Sequence, residues 1–230
     1  MKQYRFLFLD LDNTILDFDA AEQVAIRKAF RDVGLTPTDA LIARYCEINR
    51  AQWEAFERGE LDRDEVLVRR FALLFQELGV AIDPAEAERR YRGYLGIGHY
   101  FIPHAQELLE ALAPSYQLYI ASNGVADTQE SRMASAGIEP YFQGIFISET
   151  TGHHKPEKAY FDYCFAQIPD FDPAAALMIG DTLSSDILGG IRAGIDTCWF
   201  NPKRVPGQAD IVPTYEIHAL PELLQLLGKF

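Results

Sequence analysis

Two aspartates two residues apart follow a short apolar run in Phe8-Leu9-Asp10-Leu11-Asp12-Asn13-Thr14. On an extended chain, side chains at i and i+2 project to the same side, so Asp10 and Asp12 face one ligand. Two carboxylates that close repel and call for a cation or a shared proton. An acidic strand-to-turn junction is the plainer alternative. A second motif, Ile120-Ala121-Ser122-Asn123-Gly124, ends an apolar run in a hydroxyl and free backbone N–H groups, which suit an anion. Its plain alternative is an ordinary turn. Lys155-Pro156 reads as the opening of a helix, with the proline in the first turn and the ammonium available to an oxyanion. The fourth motif runs from Met178 through Gly180, Asp181 and Thr182 to Asp186. Asp186 is expected about one turn into a helix over 183–193, pointing back at the strand ends; helix capping by Asp181 or Thr182 is the alternative. Each motif alone is ambiguous. Four of them in this order, each at the end of a strand, point to one site.

Those strands are short apolar segments at 4–11, 116–122, 144–148, 175–179 and 197–200, separated by helical patterns. Continuous apolar strands alternating with helices specify a parallel sheet covered on both faces, whose ligands bind outside the carboxyl ends of the strands. A weaker strand at 211–217 contains Pro213 and belongs at a sheet edge, followed by a final helix at 220–227. Residues 17–98 break the alternation. Leu67, Phe71, Leu74, Phe75 and Leu78 share one helical face, and Leu41, Tyr45, Ile48 and Phe56 form a similar stripe upstream. Breaks at Gly34, Gly59 and Gly79, with Asp83-Pro84 as a helix start, divide the segment into about four helices. The fold class is therefore α/β: a Rossmann-like parallel sheet over 1–16 and 99–230, with an all-helical insertion at 17–98. Gly93, Gly96 and Gly98 mark the expected return hinge.

The 230 residues carry 34 acidic and 21 basic side chains, a net charge of −13. That balance argues against nucleic-acid polymers and anionic membranes, which are bound by basic patches. With 48% apolar residues the chain is globular. Cys46, Cys164 and Cys198 are too scattered for a disulfide framework or a zinc site, and Cys46 and Cys198 read as buried, inert thiols. Asp10 and Asp12 interrupt the first apolar run, so neither a signal peptide nor a membrane span is expected, and the cytoplasm is the expected compartment.

The series DxDxT, strand-terminal Ser-Asn, Lys-Pro and GDxxxxD resembles the haloacid dehalogenase (HAD) superfamily over essentially the whole chain. The insertion after the first strand is similar to the C1 cap of its subfamily I. The resemblance implies a Mg²⁺-dependent phosphohydrolase working through an aspartyl-phosphate. By that resemblance Asp10 is the nucleophile, and Asp12 is the acid that protonates the leaving oxygen and then the base that activates water. Mg²⁺ is held by Asp10, the backbone carbonyl of Asp12 and Asp181. Asp186 orients the ligands from behind, Thr14 supports the first loop, and Ser122, Asn123 and Lys155 bind the phosphoryl oxygens. The carboxylate at Asp12 separates this chain from the haloalkanoate dehalogenases of the superfamily, which lack it. Asn13 stands where many relatives have glycine, a mild departure because Asn tolerates left-handed backbone angles.

A DxDNT first motif with this cap is most similar to the branch containing bacterial pyrimidine 5′-nucleotidases. That implies a nucleoside 5′-monophosphate substrate, with no membrane or polymer partner. Trp53 lies at the edge of the buried helical face, where it can reach a cleft and a base; Phe56 reads as insertion core. Other small phosphomonoesters (a sugar phosphate, phosphoglycolate) and a sugar phosphomutase use the same machinery. A non-enzymatic phospholigand-binding protein on this fold would be expected to lack Asp10, Asp12 or Asp181. His153 and His154 read as loop residues and His99 falls near the hinge, without an assigned role.

Overall fold

The computed structural model describes residues 2–228. Strand β1 (Phe6–Leu9) is followed by four helices: α1 (Phe18–Asp32), α2 (Asp39–Glu57), α3 (Arg63–Leu78) and α4 (Pro84–Leu95). The chain continues with α5 (Ala105–Leu112), β2 (Gln117–Ser122), α6 (Ala126–Ala136), β3 (Gly144–Ile147), α7 (Ser148–Thr151) and α8 (Lys158–Ala166). It ends with β4 (Ala176–Gly180), α9 (Leu188–Ala193), β5 (Asp196–Phe200), β6 (Tyr215–Ile217) and α10 (Leu220–Leu226). Among the described residues the strands form one parallel sheet in the order β3-β2-β1-β4-β5-β6. The segment around Pro213 supplies the edge strand, and the proline itself precedes it, so no ladder donor is lost.

Alternation along β1 explains its unbroken apolar sequence. Leu7 and Leu9 enter one core layer with α5 and α10, whereas Phe6 and Phe8 enter the other with Tyr160 and Phe161 of α8. A strand covered on both faces has no solvent side on which a polar residue would be tolerated. Helices α1–α4 have a hydrophobic cluster of their own, built on Phe30, Tyr45, Phe71, Phe75 and Tyr91. Their starts are capped locally: Asp17 accepts from the Ala20 N–H, Thr38 from Leu41, and Asp83 from Ala85 just before Pro84. The apolar stripe of α3 is one residue shorter than its periodicity suggests, because Leu78, in the last turn, is exposed.

Two short connectors join the helical layer to the sheet, and they lie side by side. Leu16 bridges Phe101 in antiparallel fashion, Asp17 N–H donates to the Tyr100 carbonyl, and Ile102 N–H donates to Ile15. The crossing is thus a two-stranded ribbon, placed directly beyond Asp12. No helix among the described residues is long and apolar enough to cross a membrane.

Candidate active site

The chain order moves from β1 to β2 and β3 on one side of the sheet, then returns to β4 on the other. Such a reversal opens a crevice outside the carboxyl ends of the central strands. Asp10 emerges there after β1, its N–H prolonging the ladder to the Ile179 carbonyl at 2.9 Å. Ser122 closes β2, and Asp181 follows β4. Asn13 turns the first loop with φ +57°, and its Oδ1 accepts from the N–H groups of Phe18 and Asp19. Thr14 is buried in that loop, and its hydroxyl has no hydrogen-bond partner.

Lys155 reaches this crevice from a loop. Its ammonium donates to Asp10 Oδ1 at 2.6 Å, Asp186 Oδ1 at 2.7 Å and the Ala121 carbonyl at 2.6 Å. The Asn123 side chain pins the loop by donating to the Lys155 carbonyl and accepting its N–H, at 2.9 and 2.8 Å. Pro156 does not open a helix. The Lys155–Pro156 peptide is cis, and α8 starts at Lys158 after a Glu157 cap, so the lysine stays in a loop that can turn inward.

Asp186 also departs from a regular helix. Residues Leu183–Ile187 form a π-helical turn before α9, a wider turn often found at functional sites. Its Oδ2 accepts from the Thr182 N–H at 3.0 Å. A Cβ at Gly180 would lie 2.2 Å from Asp186 Oδ2, so only glycine lets this carboxylate fold back under the end of β4.

One oxygen each of Asp10, Asp181 and Asp186 come within 4.8 Å of one another. Burial pushes the Asp10 carboxyl well above its usual range, and Asp186, Asp181 and Asp12 add to it against the pull of Lys155. Burial and then Asp186 push Asp181 up to about 7. Burial alone would lower the Lys155 ammonium, but Asp10 and Asp186 together hold it above its ordinary value. One ammonium does not offset three converging carboxylates. Their all-oxygen donor set is what a hard divalent cation such as Mg²⁺ takes, so the residues present fit such an ion. Both oxygens of Asp186 already accept hydrogen bonds, which leaves Asp10 and Asp181 the freer ligands.

A cavity of about 260 Å³ runs from this cluster into the helical layer. Phe18 and Trp53 stand along its length, and Trp53 is half-buried in α2. Its lining in the helical layer includes polar residues that spacing alone did not single out: Glu22, Asn49, Arg70 and Glu88. Arg70 donates to Asn49 Oδ1 and to Glu88 Oε2, both at 2.7 Å, and Asn49 donates to Glu22 at 2.5 Å. Glu88 Oε1 is buried without a partner. The available signal was charge at inward-facing helix positions, which a purely apolar stripe search passes over. Cys46 is not fully buried; it stands on the cavity wall, and burial with Glu22 nearby pushes its thiol up to about 12.

Phe56 is buried, yet it packs across the layers rather than inside the helical cluster, its ring 4.5 Å from that of His154 and 5.7 Å from Trp53. Ser184 donates to Glu57 at 3.0 Å in a second contact of this kind. His153 lies beside Glu157, and His99 Nδ1 is 2.6 Å from Ser135 Oγ. Among the described residues no histidine joins the carboxylate cluster.

The model of a family of haloacid dehalogenase-like hydrolases matches residues 4–194. YfnB of Bacillus subtilis is 47% identical over 99% of this chain and 97% of its own length. A crystal structure of YfnB bound to magnesium, described as revealing interdomain movement, superposes with a TM-score of 0.95 at 46% identity, covering 99% of this chain and 100% of that one. The pyrimidine 5′-nucleotidase PynA of Streptococcus pneumoniae is 38% identical over 98% of this chain and 96% of its own. The pyrimidine 5′-nucleotidase YjjG of Escherichia coli is 32% identical over 99% of both chains.

Proposed function

The chain belongs to the haloacid dehalogenase-like hydrolase family and is a phosphatase of that family, and on that premise we propose a Mg²⁺-dependent 5′-nucleotidase that prefers pyrimidine nucleoside monophosphates. The carrying observation is one continuous cavity that joins the carboxylate–lysine cluster to a polar recess among α1–α4. A phosphate at the cluster leaves its alcohol pointing into that recess. A ring edge carrying donors and acceptors matches the polar recess formed by Asn49, Arg70 and Glu88; an alcohol too small to reach it leaves the buried Glu88 Oε1 without a partner, which is costly. Trp53 offers a flat apolar wall for a base. The names of PynA and YjjG support the same substrate class. Residues 17–98 act as a cap over a core of 1–16 and 99–230, with the paired connectors as the hinge.

In the proposed mechanism an Asp10 oxygen bonds to phosphorus as the bond to the leaving oxygen breaks, and Asp12 gives that oxygen a proton. Asp12 then takes a proton from water as the water oxygen bonds to phosphorus, releasing phosphate and restoring Asp10. Lys155, Ser122 and the Asn123 backbone N–H hold the phosphoryl oxygens, and Asp186 holds Lys155 in place. Asp10, the Asp12 carbonyl and Asp181 would hold Mg²⁺, which supplies the charge that lets a dianion approach these carboxylates.

Three experiments test this reading. In a phosphate-release screen, uridine and thymidine 5′-monophosphates are expected to exceed purine nucleotides, sugar phosphates and phosphoglycolate by about tenfold or more in kcat/KM. Trp53→Ala should raise KM for them by about tenfold with a smaller change in kcat. Clear turnover of a sugar phosphate with none of any nucleotide would overturn the substrate. The metal has a separate signature. Asp181 has a folded-state value of about 7, above that of the unfolded chain, so in metal-free protein the stability it contributes is full below about pH 4 and is lost as pH rises through about 7; Asp10 is raised in the same direction. Mg²⁺ needs those carboxylates ionised, so at 100 times its Kd it should raise Tm by about 5–10 °C at pH 8 and by little at pH 4.5. Equal shifts at both pH values would count against a carboxylate-bound ion.

A further inference from the structure

Arg132 of α6 is fully buried, and no step above uses it. Burying a guanidinium is costly unless its neighbours repay it, so what those neighbours are is informative. Its Nη1 donates to Asp12 Oδ1 and, at 2.9 Å, to Gln129 Oε1. Its Nε donates to the Gly98 carbonyl at 3.3 Å, and its guanidinium lies 5.6 Å from the centre of the Phe18 ring. Gly98 belongs to the returning connector, and Phe18 begins α1 just after the outgoing one. One side chain therefore touches the returning connector, the first residue of α1 and the Asp12 carboxylate.

Gln129, one turn earlier on α6, completes the grip. Its Nε2 donates to Asp12 Oδ2 at 2.6 Å and to Ser122 Oγ at 2.9 Å. Both Asp12 oxygens are thus held from α6, one by each residue, and the same amide touches the phosphate-binding hydroxyl. The chain makes room for this: a Cβ at Gly124 would lie 2.5 Å from the Gln129 amide nitrogen. The face of α6 that carries Arg132 also seats the returning connector, through Ser135 Oγ on the Ile97 carbonyl at 3.4 Å.

We propose that Arg132 and Gln129 are positioning residues that hold the Asp12 carboxyl for proton transfer, and that Arg132 ties this orientation to the position of the helical layer. The inference rests on the reading of Asp12 as the acid. A proton donor must lie within hydrogen-bond reach of the leaving oxygen, and a planar fork fixed at three points sets a carboxyl more narrowly than solvent contacts do. Movement of the layer shifts Gly98 and Phe18, and with them the guanidinium.

The test compares a leaving group that needs a proton with one that does not. A nucleoside 5′-oxygen leaves poorly as an alkoxide, whereas p-nitrophenolate is stable as it departs. The quantity to measure is kcat/KM, because alcohol release precedes water attack and the ratio excludes the second half-reaction. Arg132→Met should lower kcat/KM for uridine 5′-monophosphate by about 10–100-fold while p-nitrophenyl phosphate changes less than about threefold; Gln129→Leu, which also removes a bond to Ser122, should lower both but uridine 5′-monophosphate by about tenfold more. Arg132→Lys keeps the charge but loses the fork to Gly98, and should fall between wild type and Arg132→Met. Equal losses on both substrates, or none, in Arg132→Met and Gln129→Leu would overturn the positioning role. A wild-type value for Arg132→Lys would overturn the tie to the connector. If Arg132→Met does not fold, Gln129→Leu and Arg132→Lys decide these points. Asp12→Asn separates the two readings: it should discriminate between the substrates at least as strongly as Arg132→Met. Equal loss on both in Asp12→Asn would instead refute the role given to Asp12.

Discussion

Asp10→Asn is expected to lower Mg²⁺-dependent phosphate release from any substrate by about 10⁴-fold or more, while the protein keeps or gains thermal stability. Under the proposed mechanism the loss follows from replacing the attacking oxygen by a group that does not form the covalent intermediate, a role whose removal is among the most costly in enzymes. The stability half follows from the environment. Asp10 is almost fully buried beside Asp181 and Asp186, and its carboxyl already sits well above the usual range because burial and those neighbours oppose its ionisation. Asparagine has the same shape and removes one of the crowded charges; its amide can still offer an oxygen to Lys155. Phosphate release with uridine 5′-monophosphate and p-nitrophenyl phosphate, together with a thermal melt in chelator, reads both halves. Activity above about 1% of wild type, with the substitution verified by mass, would remove Asp10 from the mechanism. A sharp drop in Tm would show that its charge is needed by Lys155 more than it is opposed by Asp181 and Asp186.

Lys155→Met should be costly in both respects. The ammonium is 2% exposed and is bonded to two carboxylates and a backbone carbonyl. Removing one partner of a buried ion pair typically costs about 3–5 kcal/mol, because the remaining charge stays buried without compensation. Denaturant unfolding without metal at pH 8 is expected to report a loss in that range. Near pH 5 the loss should shrink, since carboxyls held above their usual range take up protons as the pH falls and no longer need the cation. Mg²⁺ should also restore part of it at pH 8. Turnover should fall by about 10²–10³-fold even when the metal is saturating, because in the proposed mechanism the phosphoryl oxygens lose a fixed positive partner. A stability change under about 1 kcal/mol at pH 8 would mean that the three carboxylates are not charged together in the metal-free protein.

The two predictions differ in sign on stability for one reason: the site holds more negative charge than its single buried lysine offsets. The net charge of −13 only hinted at this. Acidic residues spread over a surface are solvated and cost little, whereas Asp10, Asp181 and Asp186 lie within reach of one another in a site with little solvent. The excess at one place carries the inference, and the place comes from the strand ends.

Much of the architecture was legible in the chain because it depends on short-range patterns. Phe6–Leu9 and Ala176–Gly180 are apolar throughout, and a strand buried on both faces requires that. The helices α1–α4 of the insertion followed from stripes at helical spacing and from caps such as Asp83-Pro84. The positions of Asp10, Ser122 and Asp181 followed in turn, since strand ends can be counted along the sequence. Lys155 was less legible, for its motif looked like a helix start and is instead a turn that sends the ammonium inward. Asp186 was placed in a helix, but the wide π turn that brings it back under Gly180 is a tertiary compromise with no pattern of its own.

The least legible residues were the polar ones that face inward from helices. Glu22, Asn49, Arg70 and Glu88 are distant in sequence, come from α1, α2, α3 and α4, and meet only because those helices pack together. Gln129 and Arg132 have the same character: on an isolated helix they read as a solvated face, and packing against the first loop, the end of β2 and the returning connector turns them inward. The sequence by itself determined the order of strands and helices and the residue types at the strand ends, since burial and capping are enforced locally at every turn. Which side chains share a cavity, which carboxylate oxygen a buried arginine holds, and how much charge one lysine must offset were decided only by the tertiary structure. These depend on distances between segments 18 to 145 residues apart, and no local spacing encodes them.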